Sequence, residues 1–270
     1  MQYDPVKRSL GNVFNKTPFL RKLFYKLLDI LLLRAWYIKR EIKQIYSKNR
    51  KAEAQVLDAG SGFGQYSFFV SSYLSKAQVL GVDVKEEQIE DCNQFFAKIN
   101  RADRVKFQYA DLTKFTDPNK YDLVLSVDVM EHILEDELVF KNLCDSMTQG
   151  GILLISTPSD QGGSDVHHED EHSFIDEHVR DGYNINDIEQ KLLRAGFSKV
   201  EKRYSYGTPG SIAWRLSMKW PIMMLNFSKL MFIVLIPYYI VTFPWAFILD
   251  WIDTITDHKT GTGLIVKATK

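Results

Sequence analysis

Three glycines punctuate the segment Val56-Leu57-Asp58-Ala59-Gly60-Ser61-Gly62-Phe63-Gly64, after an apolar run that reads as a buried strand and before an apparent helix. Without a Cβ the backbone can come close to a ligand, and a strand-loop-helix junction of this kind suits a nucleotide-like cofactor. A dinucleotide fingerprint would place its third glycine where this chain has Gln65, so dinucleotide-dependent hydride transfer is disfavoured. The second chemistry is proton transfer by histidine. His132 stands just past a later strand, at the sheet edge where open α/β sheets gather ligands, and is a candidate general base. His167 and His168 open the cluster His167-His168-Glu169-Asp170-Glu171-His172, with His178 close behind, and are candidates for acceptor binding or proton removal.

Short apolar runs that end in turn or acidic residues must position these groups, and from Ala54 they alternate with helical periods as βα units do. Strands are expected at Gln55–Asp58, Gln78–Asp83, Val105–Tyr109, Tyr121–Val127, Gly151–Thr157, Ser198–Tyr206 and Gly263–Lys270. Helices are expected at Gly64–Ser75, Glu86–Ile99, Glu135–Asp145 and Asn184–Ala195, the last stopped by Gly196. The fold class is α/β, a doubly wound, mostly parallel seven-stranded sheet. Ahead of it, Thr17 to Tyr46 mixes apolar and basic residues at amphipathic-helix spacings. The expected division is a helical cap over 1–50, a catalytic domain over 51–206 and 261–270, and an apolar helical insertion over 207–260.

VLDAGSGFG resembles the first motif of class I S-adenosylmethionine-dependent methyltransferases, and later segments agree in order. The resemblance implies S-adenosyl-L-methionine as cofactor, held by Asp58, Gly60, Ser61, Gly62 and Gly64. In Gly81-Val82-Asp83, followed by Val84, the carboxylate would accept both ribose hydroxyls. Asp111 would bind the adenine amine, with Leu112 packed on the ring. Asp128, in the segment Tyr121 to His132, would line the methyl donor, and Gly150 to Ile155 resembles the fifth strand with its turn. Asp128-x-x-Glu131-His132 resembles the Glu-x-x-Glu-His ligand set of some metal-dependent members, with Asp for the first Glu; no metal is assigned. What the resemblance implies as activity is methyl transfer; the expectation adopted is transfer to an oxygen, with a non-catalytic membrane- or protein-binding module on the same fold, or a soluble N- or protein methyltransferase, as the alternatives.

Leu230 to Leu249 runs about 20 residues without a charge, long enough in principle to cross a bilayer. If the segments before and after it are neighbouring strands of one sheet, the chain must return, which forbids an odd number of crossings. Trp220–Trp251 is too short for two full spans, and Pro237 and Pro244 are expected to break or kink a continuous helix. The expectation is a monotopic, in-plane or shallow re-entrant hairpin at the inner face of the cell membrane, using residues 218–252. An apolar lid over the substrate, a homodimer interface or a large internal core are the alternative readings.

The 270 residues carry 34 Lys plus Arg against 34 Asp plus Glu, so no overall field attracts nucleic acid, and no nucleic-acid partner is expected. Cys92 and Cys144 lack CxxC spacing, which suggests idle thiols in a reducing compartment. Met1 to Lys16 has no apolar core of the secretory kind, and a cytoplasmic location is expected. The acceptor is expected to be hydrophobic or amphipathic: quinone-like, aromatic or lipid-linked.

Overall fold

The computed structural model describes residues 17–162, 179–228 and 230–270. Among them seven strands form one sheet: β1 (Gln55–Ala59), β2 (Gln78–Asp83), β3 (Val105–Tyr109), β4 (Tyr121–Val127), β5 (Met147–Pro158), β6 (Lys199–Ser205) and β7 (Gly263–Thr269). Their order is β3-β2-β1-β4-β5-β7-β6, with β7 antiparallel to both of its neighbours and the first five strands parallel. This is the expected doubly wound sheet. The order reverses between β1 and β4, and ligands of such sheets collect outside the carboxyl ends of the strands at that point.

The helices in chain order are α1 (Pro18–Leu31), α2 (Leu33–Ile45), α3 (Gln65–Tyr73), α4 (Glu86–Lys98), α5 (Asp136–Ser146), α6 (Ile185–Ala195), α7 (Thr208–Trp214), α8 (Trp220–Phe227) and α9 (Met231–Ile255). Local signals set their ends. Thr17 Oγ1 accepts the Leu20 N–H at 3.2 Å ahead of Pro18, Asn184 caps α6, and Gly196 closes α6 in the left-handed region. Alternate strand residues feed two cores. Leu57, Val124, Leu153 and Val266 pack with α5 and α6 on one face, while Val56, Leu123, Leu154 and Ile265 pack with α1 to α4 on the other. Cys92 and Cys144 are free and buried.

Two local expectations need correction. β5 starts at Met147 rather than Gly151, because the register against β4 shifts between Tyr121 and Leu123 and Gly150, at φ +78°, absorbs the irregularity instead of preceding the strand. Pro237 and Pro244 do not break α9, which runs 25 residues through both. Seven residues apart, they leave their missing donors on one helix face. Tyr238 and Tyr239 secure the segment by donating to the Leu216 and Ser217 carbonyls, each at 2.8 Å. The insertion is thus a helical hairpin, α7 and α8 going out and α9 returning, spliced between β6 and β7.

Candidate active site

The loop after β1 carries the geometry that its glycines require. Gly60, Gly62 and Gly64 have φ of +79°, +49° and +72°. At Gly60 a Cβ would overlap the Val129 side chain, so this position is closed to larger residues by packing as well as by conformation. At Gly62 the nearest atom to a Cβ would be Gln88 Oε1 at 3.9 Å, which leaves an open cradle along the backbone. Asp58 lies beneath, with Oδ2 accepting the Ser67 amide at 3.0 Å and its hydroxyl at 2.6 Å. It anchors the start of α3 and shapes the loop. Burial pushes this carboxyl up to about 6.

Acidic strand ends flank the cradle. Asp83 accepts the Gly62 N–H at 2.8 Å and the Lys85 N–H at 3.0 Å, and the neighbouring Val84 is 57% exposed. Asp111 Oδ1 accepts the amide and hydroxyl of Thr113 at 2.9 and 2.7 Å, and these bonds hold its carboxyl below the usual range. Leu112 is buried beside it. Asp128, at φ +54°, ends β4 and pairs with Arg34 at 2.8 Å. The sheet therefore brings Asp58, the glycine loop, Asp83, Asp111 and Asp128 to one edge.

Two hydroxyls in this neighbourhood, Ser61 Oγ and Tyr66 OH, are buried with no hydrogen-bond partner. A buried polar atom left unpaired is costly, and a polar ligand in the cradle would satisfy both. The donor set fits S-adenosylmethionine in that respect: an open backbone cradle, unspent hydroxyls, carboxylates at two strand ends and apolar Val84 and Leu112 nearby.

His132 stands exposed on the single 3-10 turn Met130–His132 after β4. Its neighbour Glu131 is buried, accepting the Thr157 hydroxyl at 3.2 Å through its carboxylate and the Val179 amide at 3.0 Å through its carbonyl. Burial, then the Asp128 charge, push the Glu131 carboxyl up to about 8. His167 and His168 lie outside the described residues. Among the described residues no group of three His, Cys, Asp or Glu is gathered to hold a metal ion.

The sequence reading missed the clamp above the loop. Arg21 is buried, donating to the Phe63 carbonyl at 3.0 Å, the Asp91 carbonyl at 3.2 Å, the Tyr25 hydroxyl at 2.9 Å and Cys92 Sγ at 3.1 Å, and the Tyr25 hydroxyl donates to the same Phe63 carbonyl. The Arg34 amide donates to the Tyr206 hydroxyl at 3.1 Å, tying α2 to the end of β6 beside Asp128. The signal available in the sequence was a set of arginines on the apolar faces of the first two helices.

A family model described as a methyltransferase domain matches residues 50–200. The chain is 27% identical over 150 residues to (S)-coclaurine N-methyltransferase of Papaver somniferum, covering 56% of this chain and 39% of that protein. It is 28% identical over 151 residues to phosphoethanolamine N-methyltransferase of Triticum aestivum, covering 56% and 29%. Its fold is similar to that of Haemonchus contortus phosphoethanolamine N-methyltransferase 2 in complex with S-adenosyl-L-methionine, with TM-score 0.61, 22% identity, and coverage of 87% of this chain and 52% of that one. The chain spans 39% and 29% of the length of these two curated relatives.

Proposed function

The chain belongs to the class I methyltransferase family, and from that premise we propose that it transfers a methyl group from S-adenosylmethionine to an amphipathic small molecule presented at a membrane face. The observation that carries this reading is the pairing of a cofactor cradle holding two unspent buried hydroxyls with an apolar hairpin left open to solvent. Asp83 would take the ribose hydroxyls, Asp111 the adenine amine, Val84 and Leu112 the adenine ring, and Gly60 to Gly62 with Ser61 the methionine portion. The cofactor supplies a methyl group already activated on a sulfonium. The protein's task is then alignment and exclusion of water, with alignment contributing roughly 7–11 kcal/mol. Asp128, fixed by Arg34, and Tyr66 border the place where an acceptor would line up, and His132 would pass its proton to solvent. His167 and His168 are candidates for the same proton transfer. An amine acceptor is favoured, because the two relatives described above are N-methyltransferases, although another similar protein is a ubiquinone biosynthesis O-methyltransferase. Oxygen, preferred from the sequence, is the other outcome of the same assay.

The membrane face rests on α9 and the tip before it. Phe227 and Leu230 are 83% and 77% exposed, and α9 is long and apolar enough to cross a membrane by length and composition. Because β6 and β7 are neighbours, both ends of the hairpin return to one side, which supports a monotopic placement; the side proposed is the cytoplasmic one. Each large apolar side chain removed from water is worth about 1.5–3 kcal/mol, so this surface calls for a cover. Deuterated methyl donor and membrane lipid extract, followed by mass spectrometry, test the transfer: a labelled N- or O-methyl product is expected, and failure to bind S-adenosylhomocysteine by calorimetry would overturn it. Liposome flotation tests the cover, with the double variant Phe227→Asp and Leu230→Asp expected to stay at the bottom. A stable dimer that ignores liposomes would assign the same surface to a second copy.

A further inference from the structure

We propose that the groove between α2 and the C-terminal end of α9 binds the phosphate headgroup of an anionic membrane lipid. The proposal rests on the membrane reading above and adds a headgroup site remote from the glycine loop. One stripe of α2 supplies Trp36, Lys39, Arg40 and Lys43, at positions i, i+3, i+4 and i+7 of one helix face, and Trp251 and Ile255 of α9 face them across a cavity of about 780 Å³.

The chemistry of the walls is divided. On the α2 side stand three cations. Lys39 pairs with Asp29, the carboxylate in the lining, and lies 4.7 Å over the Phe69 ring. Arg40 donates to the Thr254 carbonyl in the last turn of α9, and Lys43 is exposed at the rim. Three cations against one carboxylate leave the groove positive in a chain whose overall charge is zero. On the other side, Phe247, Trp251 and Ile255 recur every fourth residue at 45%, 54% and 50% exposure and lead from the apolar hairpin into the groove. Trp36 packs edge-on against Phe247 with ring centroids 4.6 Å apart, joining the two walls.

A lipid has this same division, with an anionic phosphate at one end and hydrocarbon running away from it. A free phosphate or a soluble phosphomonoester would use the cations and leave the Phe247-Trp251-Ile255 stripe idle. Basic groups beside an aromatic and apolar surface are what anionic headgroups attract at an interface, and this continuity with the exposed face of α9 commits the site to lipid.

The test is flotation of the full chain with vesicles of phosphatidylcholine alone and of phosphatidylcholine with phosphatidylglycerol at equal total lipid. The expected result is tighter binding to the anionic vesicles. Lys43→Gln should weaken that binding about five-fold and Lys43→Glu about twenty-five-fold, the weight of one and two charges near an anionic surface. Binding to neutral vesicles should be unchanged in both. Lys106→Gln, on exposed Lys106 of edge strand β3, is the control for charge at large and should change neither. Millimolar glycerol 3-phosphate should not release the protein, and release would assign the groove to a soluble phosphate ester and overturn the proposal. Equal binding to both vesicle types, or equal losses for Lys43→Gln and Lys106→Gln, would overturn it while leaving the membrane reading in place. Absence of flotation with either vesicle would remove both.

Discussion

Replacing Glu131 with Gln should make the ligand-free protein more stable at alkaline pH and leave it unchanged at acid pH. The carboxyl is buried at the junction of β4 and β5, and its pKa rises from an ordinary 4.5 to about 8, through loss of hydration first and the Asp128 charge second. Between those two pH values the folded chain retains a proton that the unfolded chain has released. Stability therefore falls as pH rises across this window, at a slope approaching about 1.4 kcal/mol per pH unit. From pH 5 to pH 8 the full loss is roughly 4 kcal/mol, and the sharing of charge with Asp128 brings the expected figure to about 2–4 kcal/mol. Glutamine keeps the shape and can still accept the Thr157 hydroxyl, but has no proton to lose. Urea unfolding of both proteins at pH 5 and pH 8, followed by fluorescence, should show the variant ahead by only about 1 kcal/mol or less at pH 5, where the unfolded carboxyl has begun to ionise. At pH 8 the variant should be more stable by that amount, with unchanged slope. An advantage that does not vary with pH, or a variant less stable at pH 8, would refute the electrostatic account of this residue.

Asp83→Ala removes the carboxylate that holds the Gly62 amide and would bind the ribose, so S-adenosylhomocysteine affinity should fall about 100-fold by calorimetry, at about 1.5–3 kcal/mol for each charged hydrogen bond. Tyr25→Phe removes the hydroxyl that accepts from Arg21 and donates to the Phe63 carbonyl, and urea unfolding should show a loss of about 1–3 kcal/mol. Gly62→Ala should cost only about 1 kcal/mol of stability, since the site is open and the penalty is the left-handed backbone, while Gly60→Ala should cost clearly more because its Cβ also meets Val129. Comparison of their unfolding midpoints decides this.

The inner strands were legible because they bury both faces, as β1 and β4 do. Runs such as Val79-Leu80-Gly81-Val82 have no other use in a polar chain, and Asp83 ends the run where the sheet meets solvent. The glycine loop was legible for a similar reason, as three residues without side chains after such a run have a conformational purpose. Contacts made across long separations were not. Arg21 reads as one more basic residue of an amphipathic helix, and only the folded chain sets it against Phe63 and Cys92, 42 and 71 positions away. Arg34 and Asp128 form a pair that no periodicity encodes. Glu131 was visible as a residue of the turn after β4, but its burial depends on how β5 and Val179 close over it. The prolines of α9 do not end the helix as an isolated one would be expected to end, because here the outgoing arm supports the returning one.

The hairpin enters and leaves the sheet at Ser205 and Gly263, which face each other in register across β6 and β7. A short reverse turn could bridge them, so by its connections alone the insertion is a cassette to be lifted out whole. The anchoring of Asp253 rules against that. Its carboxylate accepts the Tyr37 hydroxyl at 2.6 Å, the Tyr206 amide at 3.1 Å and the Gly210 amide at 2.8 Å, so α9 and the first helices share one polar joint with the end of β6. Excision would strip the partner from a buried tyrosine and bare the inner side of α2. Segments more than 200 positions apart therefore form one detachable layer, and a chimera built on a related sheet should exchange both pieces together or neither.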